Sequence, residues 1–148
     1  MARTRRILHA TDFSPASRAA LARALELARA QGAELLICHV MSPFVPMMGE
    51  GYLAPKMYEE IAASVRQAAQ RQLDALVARA RRSGARVRGL LVEGTPFEQI
   101  TRVARRQKAD LVVVGTHGRS GLGRLFLGSV AERVVTTSTV PVLTVRGR

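Results

Sequence analysis

The sequence predicts one α/β domain, over residues 1–148, whose five parallel strands form a doubly wound sheet with helices on both faces. Short apolar runs alternate with segments of helical periodicity in the order βαβαβαβαβ. Alternation at this spacing requires parallel strands joined by right-handed helical crossovers. The chain has 148 residues, which suits a single domain, and 47% of them are hydrophobic, which is enough to bury a core.

The first strand and helix are predicted by an apolar run and its flanking residues. Residues 5–11, RRILHAT, are typical of a short buried strand. Ser14 then supplies an N-cap, and Pro15 occupies the first helical position, where a backbone N–H is not needed. Small and apolar residues recur at helical spacing as far as Gly32, which is a favourable C-terminal stop.

The middle of the chain contains a second strand, a long helix and a third strand. Residues 33–40 and 85–94 are apolar runs typical of buried strands. Between them, residues 41–55 contain three prolines and two glycines and are predicted to form a loop. An amphipathic helix is predicted over residues 56–83, and Gly84 ends it.

The last third of the chain begins with a specific signal for the start of a helix. Thr95 and Glu98 have the spacing of a capping box, and Pro96 follows Thr95 at the first helical position. The remaining elements are a fourth strand, a fourth helix and a fifth strand, predicted over residues 110–116, 129–138 and 140–146. These elements complete the alternating order.

Charge and composition exclude several classes of protein. The net charge is +12, but 21 of the 23 basic residues are arginines spread along the chain, without the aromatic pattern or zinc-ligand spacing of nucleic-acid-binding domains. We therefore expect attraction of anions without a specific nucleic-acid partner. No apolar run is long enough to span a membrane, and the N-terminus has no secretory signal, so a cytoplasmic location without membrane contact is expected.

Cysteine and histidine usage indicates structural roles. Cys38 is the single cysteine, which excludes an internal disulfide framework, and it is expected to be a small core residue. His9 and His39 lie on the first two predicted strands. Two histidines without a third ligand are more often structural, so no metal site is predicted from them.

The topology predicts where a ligand would bind. In a doubly wound sheet, ligands bind beyond the carboxyl ends of the strands, at the point where the strand order reverses. With the order 3-2-1-4-5, that point lies between the first and fourth strands, next to ATDFS and GTHGRSG. Asp12 would there accept hydrogen bonds from a ribose diol or help to hold a divalent ion, or it would only cap the turn before Ser14.

The segment after the fourth strand is rich in glycine. Five glycines fall within fourteen residues: Gly115, Gly118, Gly121, Gly123 and Gly128. Without a Cβ, backbone N–H groups can approach a phosphate closely, and a following helix N-terminus adds its dipole and free N–H groups. The alternative is a flexible loop without a ligand. The chain has neither a Walker A sequence nor a G-x-G-x-x-G after the first strand.

The spacing of these glycines resembles a known signature. Gly115-Thr-His-Gly118, nine residues and then Gly128-Ser129 give the pattern G-x2-G-x9-G-[S/T], which is similar to the ATP-binding motif of the universal stress protein family. ILHATDFSPASRAAL, LLVEGTPFEQI and the segment from Val112 to Arg146 also resemble blocks of that family, so the resemblance covers essentially the whole chain. It implies a Rossmann-like domain that binds ATP, or alternatively AMP or ADP, with Mg²⁺ or Mn²⁺ held through the phosphates.

The resemblance also implies roles for individual residues and a partner. The implied nucleotide contacts are Ala10, Thr11 and Val40 beside adenine, Asp12 on the ribose, Gly115 near the ribose and phosphates, and Gly118, Gly128, Ser129 and Val130 at the phosphates. The implied partner is a second copy of the chain. In such a homodimer the last strand, from Val140 to Arg146, would pair antiparallel with its twofold mate.

The function implied by the resemblance is that of a nucleotide-dependent sensor or regulator of the stress response. No residue supplies an evident base for an attacking water or an arginine finger, so no catalytic residue and at most slow ATP hydrolysis are expected. Two alternatives stay open: a structural dimer with an empty nucleotide site, and an adenylating or nucleotidyl-transferring enzyme, although ATDFSPAS lacks paired histidines. A phospho-acceptor of the response-regulator type is disfavoured, because LLVEGTP offers Glu93 and no aspartate after the third strand.

Overall fold

The computed structural model describes residues 3–44, 54–116 and 127–147, and five strands and four helices alternate within these ranges. In chain order they are β1 (Arg6–Ala10), α1 (Pro15–Gln31), β2 (Glu34–Met41), α2 (Pro55–Arg81), β3 (Arg86–Glu93), α3 (Pro96–Arg106), β4 (Leu111–Gly115), α4 (Ser129–Thr137) and β5 (Val142–Val145). Each element lies within a few residues of its predicted position, so the predicted alternation is confirmed.

The five strands form one parallel sheet in the order β3-β2-β1-β4-β5, as predicted. β1 is central and pairs with β2 on one side and with β4 on the other. The chain therefore builds outwards from β1 to β3 and then returns to the opposite side of β1 at β4. This reversal puts the ends of β1 and β4 at the switch point of the fold.

Two helices cover each face of the sheet, with α1 and α2 on one face and α3 and α4 on the other. The neighbouring β1 residues Ile7 and Leu8 point to opposite faces, and both are fully buried. The inner strands β1 and β4 are largely apolar for this reason, whereas the edge strand β3 carries exposed arginines. Other large buried side chains are Leu35, Ile37, Leu73 and Val113 in the first layer and Leu36, Val112 and Val134 in the second.

The helix ends confirm one predicted cap and correct another. The hydroxyl oxygen of Ser14 accepts a hydrogen bond from the Ser17 N–H at 3.2 Å, and Gly32 ends α1 in the left-handed region at φ 62°. The capping-box prediction at Thr95 is wrong, because its side chain makes no cap hydrogen bond. The first turn of α3 instead begins with Pro96, and the Thr95 carbonyl accepts from the Gln99 N–H at 3.0 Å.

None of the helices in the described ranges combines the length and the apolar character that crossing a bilayer requires. The longest, α2, spans 27 residues and carries charged side chains along most of its length. Its exposed residues outnumber its buried ones, because only one side of its C-terminal half packs on the sheet. α2 is therefore an amphipathic surface helix, as its periodicity predicts.

His9 is fully buried in the centre of the sheet, in register with Ile37 and Val113. Its Nδ1 lies 3.0 Å from the carbonyl oxygen of Val113 and must donate, since a carbonyl only accepts. Its Nε2 is buried and has no hydrogen-bond partner among the described residues. Burial lowers the pKa of His9 from 6.5 to about 4, although the hydrogen bond to Val113 opposes the shift. The ring is therefore neutral at pH 7.

Replacing His9 with asparagine should reduce the loss of stability between pH 7 and pH 5. The unfolded chain takes up a proton at this side chain near pH 6.5 and the folded chain only near pH 4, so acid favours unfolding over that window. In the wild type this difference should remove about 2 kcal/mol of unfolding free energy at pH 5. Asparagine keeps a donor for Val113 but does not titrate. Urea unfolding of both proteins at the two pH values measures the difference, and equal losses would contradict the buried neutral ring.

Candidate functional site

A cleft with a volume of about 380 Å³ opens at the carboxyl ends of β1 and β4, where the strand order reverses. We call it the switch-point cleft. Eight of the nine predicted site residues line it: Ala10, Thr11, Asp12, Val40, Gly115, Gly128, Ser129 and Val130. The ninth, Gly118, lies outside the described residues. Residues predicted from separate stretches of sequence thus meet at one position in the fold.

Six further residues line the cleft that sequence reasoning did not include: Ser17, Cys38, Pro96, Ile100, Val114 and Ala131. One of them had a usable signal. Cys38 is two positions before Val40, a predicted site residue on β2, so both side chains must face the same side of the sheet. Pro96 and Ile100, both on α3, had none, because no sequence signal brings α3 to β2.

Asp12 occupies the middle of the cleft, in the turn between β1 and α1. We call residues 11–17 the Asp12 turn. Its Oδ1 accepts hydrogen bonds from the Ser14 N–H at 2.9 Å and from the Ser17 hydroxyl at 2.6 Å. No hydrogen bond reaches Oδ2 from the part of the chain that the structure describes. One carboxylate oxygen therefore caps the turn, as one of the two predicted roles requires, and the other is available to a ligand.

The carboxyl group of Asp12 is ionised at neutral pH. Its partial burial alone would raise the pKa, but the hydrogen bonds from Ser14 and Ser17 stabilise the charged form more strongly. The pKa of Asp12 therefore lies below its ordinary value. The cleft presents a negative charge that is already held in place by its own turn.

Close packing against α1 leaves no room for a side chain at Gly115, at the end of β4. The sequence alone did not predict this contact. A Cβ on this residue would lie 2.9 Å from the carbonyl oxygen of Ala16, in the first turn of α1. Gly147 meets the same turn, since its Cβ would lie 3.0 Å from the Ala16 Cα. The two glycines thus let α1 approach the sheet closely beside the cleft.

The N-terminus of α4 forms the other wall of the cleft. The Gly128 N–H donates to the carbonyl of Thr116, and the Gly128 carbonyl accepts from the Glu132 N–H at 2.9 Å. The chain is thus brought back to the end of β4 just before α4 begins. Farther along α4, the Arg133 guanidinium lies 3.9 Å from the centroid of the Phe97 ring and ties α4 to α3.

The cleft changes in polarity along its length. On the side of β2 and α3 it is apolar, with Cys38, Val40 and Ile100. Burial raises the pKa of the Cys38 thiol to about 12, so this side carries no thiolate. Asp12 follows in the middle, and the first residues of α4 lie on the β4 side. An apolar surface, a carboxylate and a helix N-terminus thus succeed one another in the strand order β2-β1-β4.

A sequence profile of the Universal stress protein family matches residues 3–146. The chain belongs to this family. Universal stress protein MJ0531 of Methanocaldococcus jannaschii is 35% identical to it over 144 residues, which are 96% of this chain and 82% of the relative. The predicted resemblance is therefore confirmed at the level of the family.

Solved structures support the same assignment. Protein MJ0577 of Methanocaldococcus jannaschii has a TM-score of 0.80 at 26% identity, with 99% of each chain covered. A universal stress protein solved in complex with cAMP has a TM-score of 0.68 at 29% identity, covering 99% of this chain and 100% of its own. Over the residues that the structure describes, the fold of this universal stress protein is thus that of its family.

Gly115→Ala should destabilise this universal stress protein more than Gly89→Ala, although both are strand glycines. The new Cβ at position 115 would press on a backbone oxygen of α1, whereas at position 89 the nearest atom, at 2.9 Å, is a methyl carbon of Val77. We expect a loss of about 1–3 kcal/mol for Gly115→Ala, as for other overpacked positions. Urea unfolding of the two variants makes the comparison. Equal losses would mean that the α1 backbone yields as easily as a side chain.

Proposed function

We propose that this universal stress protein binds ATP in the switch-point cleft and acts as a nucleotide-dependent regulator of the stress response. The observation that carries the proposal is the position of Asp12 in the cleft, between an apolar surface and the N-terminus of α4, with an Oδ2 that accepts no hydrogen bond from the described residues. The family relative solved with cAMP supports a nucleotide as the class of ligand. The spaced glycine motif, from Gly115 to Ser129, favours a nucleotide with several phosphates.

The apolar surface, the carboxylate and the helix N-terminus follow one another along the cleft in the same order as the base, the ribose and the phosphates of a nucleotide. Adenine is planar and largely apolar and would contact Val40 and Ile100. Pockets for such rings are typically lined by apolar side chains. The ribose would follow, with a hydroxyl donating to Asp12 Oδ2. The phosphates would then reach the start of α4. The N–H of Gly128 is bonded to Thr116, so the donors there would be the N–H groups of the first turn from Ser129 onwards, and the helix dipole also favours negative charge.

We further propose that Mg²⁺ or Mn²⁺ enters with the nucleotide and is held through its phosphate oxygens. Asp12 is the only carboxylate among the described residues that line the cleft. Elsewhere in the described ranges, no group of three or more His, Cys, Asp or Glu side chains is placed to hold a metal ion. The metal would neutralise phosphate charge. We expect at most slow hydrolysis, since Asp12, the one titratable carboxylate among the described lining residues, already caps its own turn through Oδ1.

A homodimer through β5 is the second part of the proposal. β5 is an edge strand of the described sheet. The carbonyl oxygens of Pro141, just before β5, and Val145, at its end, accept from the N–H groups of Val112 and Thr116 at 2.9 and 3.0 Å, so every second residue from Pro141 to Val145 faces β4. The N–H and C=O of Thr144 must therefore point to the free edge. An apolar strand with free backbone groups is suited to pairing with a second copy.

Asp12→Asn should weaken MgATP binding roughly 10- to 100-fold while leaving the fold intact. Asparagine keeps Oδ1 as the acceptor for Ser14 and Ser17, but it replaces the free Oδ2 with an NH₂ group and removes the charge. Calorimetric titration at physiological salt measures the dissociation constant. Asp74→Asn is the matched control, because Asp74 lies exposed on α2 and its loss changes the net charge equally. Equal affinity in the Asp12 and Asp74 variants would overturn the proposed site, and no binding by the wild type would favour the structural dimer.

Thr144→Pro should convert the dimer into monomers without unfolding them. Proline removes an N–H that faces the free edge and leaves the bonds to β4 intact, so only pairing with a second copy is affected. Light scattering coupled to size-exclusion chromatography measures the molar mass, and circular dichroism reports the fold. Thr144→Val is the control, since valine keeps the N–H. A dimeric Thr144→Pro variant, or a monomeric wild type, would contradict pairing through β5.

A further inference from the structure

The Asp12 turn contains a residue in a strained conformation. Phe13 has a φ of 63°, in the left-handed region that glycine adopts readily and that a bulky side chain rarely adopts. Its ring packs on the ring of His39, with the centroids 4.5 Å apart and the planes tilted by 41°. Its N–H donates to the Thr11 hydroxyl oxygen at 3.0 Å. Phenylalanine at this position therefore contributes a contact with β2 that glycine would not make.

His39 also holds the peptide group that joins Thr11 to Asp12. Its Nδ1 lies 2.8 Å from the Thr11 carbonyl oxygen, and since a carbonyl only accepts, Nδ1 must donate. The N–H of the same peptide group, which belongs to Asp12, donates to the Ser17 hydroxyl oxygen at 3.2 Å. The peptide is therefore held at both of its polar atoms, from β2 on one side and from α1 on the other.

The orientation of the Asp12 carboxylate follows from this peptide. The Ser17 hydroxyl that accepts from the Asp12 N–H also donates to Asp12 Oδ1 at 2.6 Å, so backbone and side chain of Asp12 share one partner. With Oδ1 fixed in this way, Oδ2 has a set direction relative to the cleft. Among the described residues, His39 is the only side chain outside residues 11–17 that forms a hydrogen bond with this turn.

His39 does not line the cleft itself. Neighbouring side chains on a strand point to opposite faces, and Cys38 and Val40, on either side of His39, both face the cleft. His39 therefore lies on the other face of β2, behind the Asp12 turn. Whatever it contributes to a ligand in the cleft must pass through Thr11, Phe13 and Asp12.

We propose that His39 is a positioning residue for nucleotide binding. It holds the Thr11–Asp12 peptide by a hydrogen bond and Phe13 by ring packing, and so directs Asp12 Oδ2 at the hydroxyls of a ribose. The proposal rests on the function proposed above. Its consequence is specific: loss of the His39 donor should reduce discrimination for the ribose hydroxyls, while contacts to the base and phosphates persist.

The test compares the affinity for MgATP with that for the magnesium complex of 2′,3′-dideoxy-ATP, which lacks both hydroxyls. In the wild type the ratio should favour ATP about tenfold or more, and in Asp12→Asn it should fall towards one. His39→Phe keeps a ring against Phe13 but has no hydrogen-bond donor. Its ratio of ATP affinity to dideoxy-ATP affinity should fall to within about threefold of the ratio measured for Asp12→Asn. Its affinity for the dideoxy nucleotide should stay near that of the wild type. A residue that only stabilises the fold would weaken both ligands alike and leave the ratio unchanged.

His39→Asn and His39→Gln provide a matched pair. The asparagine amide can take the place of Nδ1 and should retain most of the preference for ATP, whereas the glutamine amide reaches the place of Nε2 and should not. Equal ratios in the two variants, or a wild-type ratio in His39→Phe, would overturn the role of His39. If the wild type binds both nucleotides equally, the ribose contact of Asp12, which belongs to the proposed function, is also overturned. If the wild type prefers ATP but the His39 variants keep that preference, only the positioning role of His39 fails.

Discussion

The pairing of β1 with β4 is the constraint on which the rest of this universal stress protein depends. Because β1 already pairs with β2, a parallel β4 must take its other edge, and right-handed crossovers then put α3 and α4 on the opposite face from α1 and α2. α1, which follows β1, and α4, which follows β4, therefore lie on opposite faces of the sheet. The switch-point cleft lies at the carboxyl ends of β1 and β4, where the strand order reverses, and the strand order alone determines its position.

The same constraint explains the unusual residues around the cleft. A central β1 is buried on both faces, so His9 loses its solvation there and remains neutral. α1 starts directly above the end of β4 and reaches it only because Gly115 has no side chain. The turn that joins β1 to α1 is correspondingly tight, and Phe13 adopts a left-handed conformation within it. The conformational cost at Phe13 is offset by hydrogen bonds and by contact with His39.

The sequence predicted the fold well because the physical signals for it are local. Strands buried on both faces are continuous apolar runs, and Ser14, Pro15 and Gly32 indicate helix ends within a few residues. Most of the cleft was predictable too, since the fold class puts the residues after β1 and β4 together. The remaining features depend on contacts distant in sequence. Gly115 meets Ala16, and His39 binds Thr11, through a tertiary structure that neither stretch specifies alone. Thr95 is a residue type that often caps helices, but its side chain makes no cap hydrogen bond.

The buried thiol on the apolar side of the cleft has a consequence for how this protein can be observed. Burial raises the pKa of this thiol to about 12 and so keeps it protonated at pH 7, whereas thiolate is the form that reacts with disulfides, peroxides and alkylating reagents. Cys38 is also the single cysteine of the chain, and its side chain is fully buried although it borders the cleft. Its rate of chemical labelling therefore measures how often the structure around the cleft opens far enough to expose it, and no engineered probe is needed.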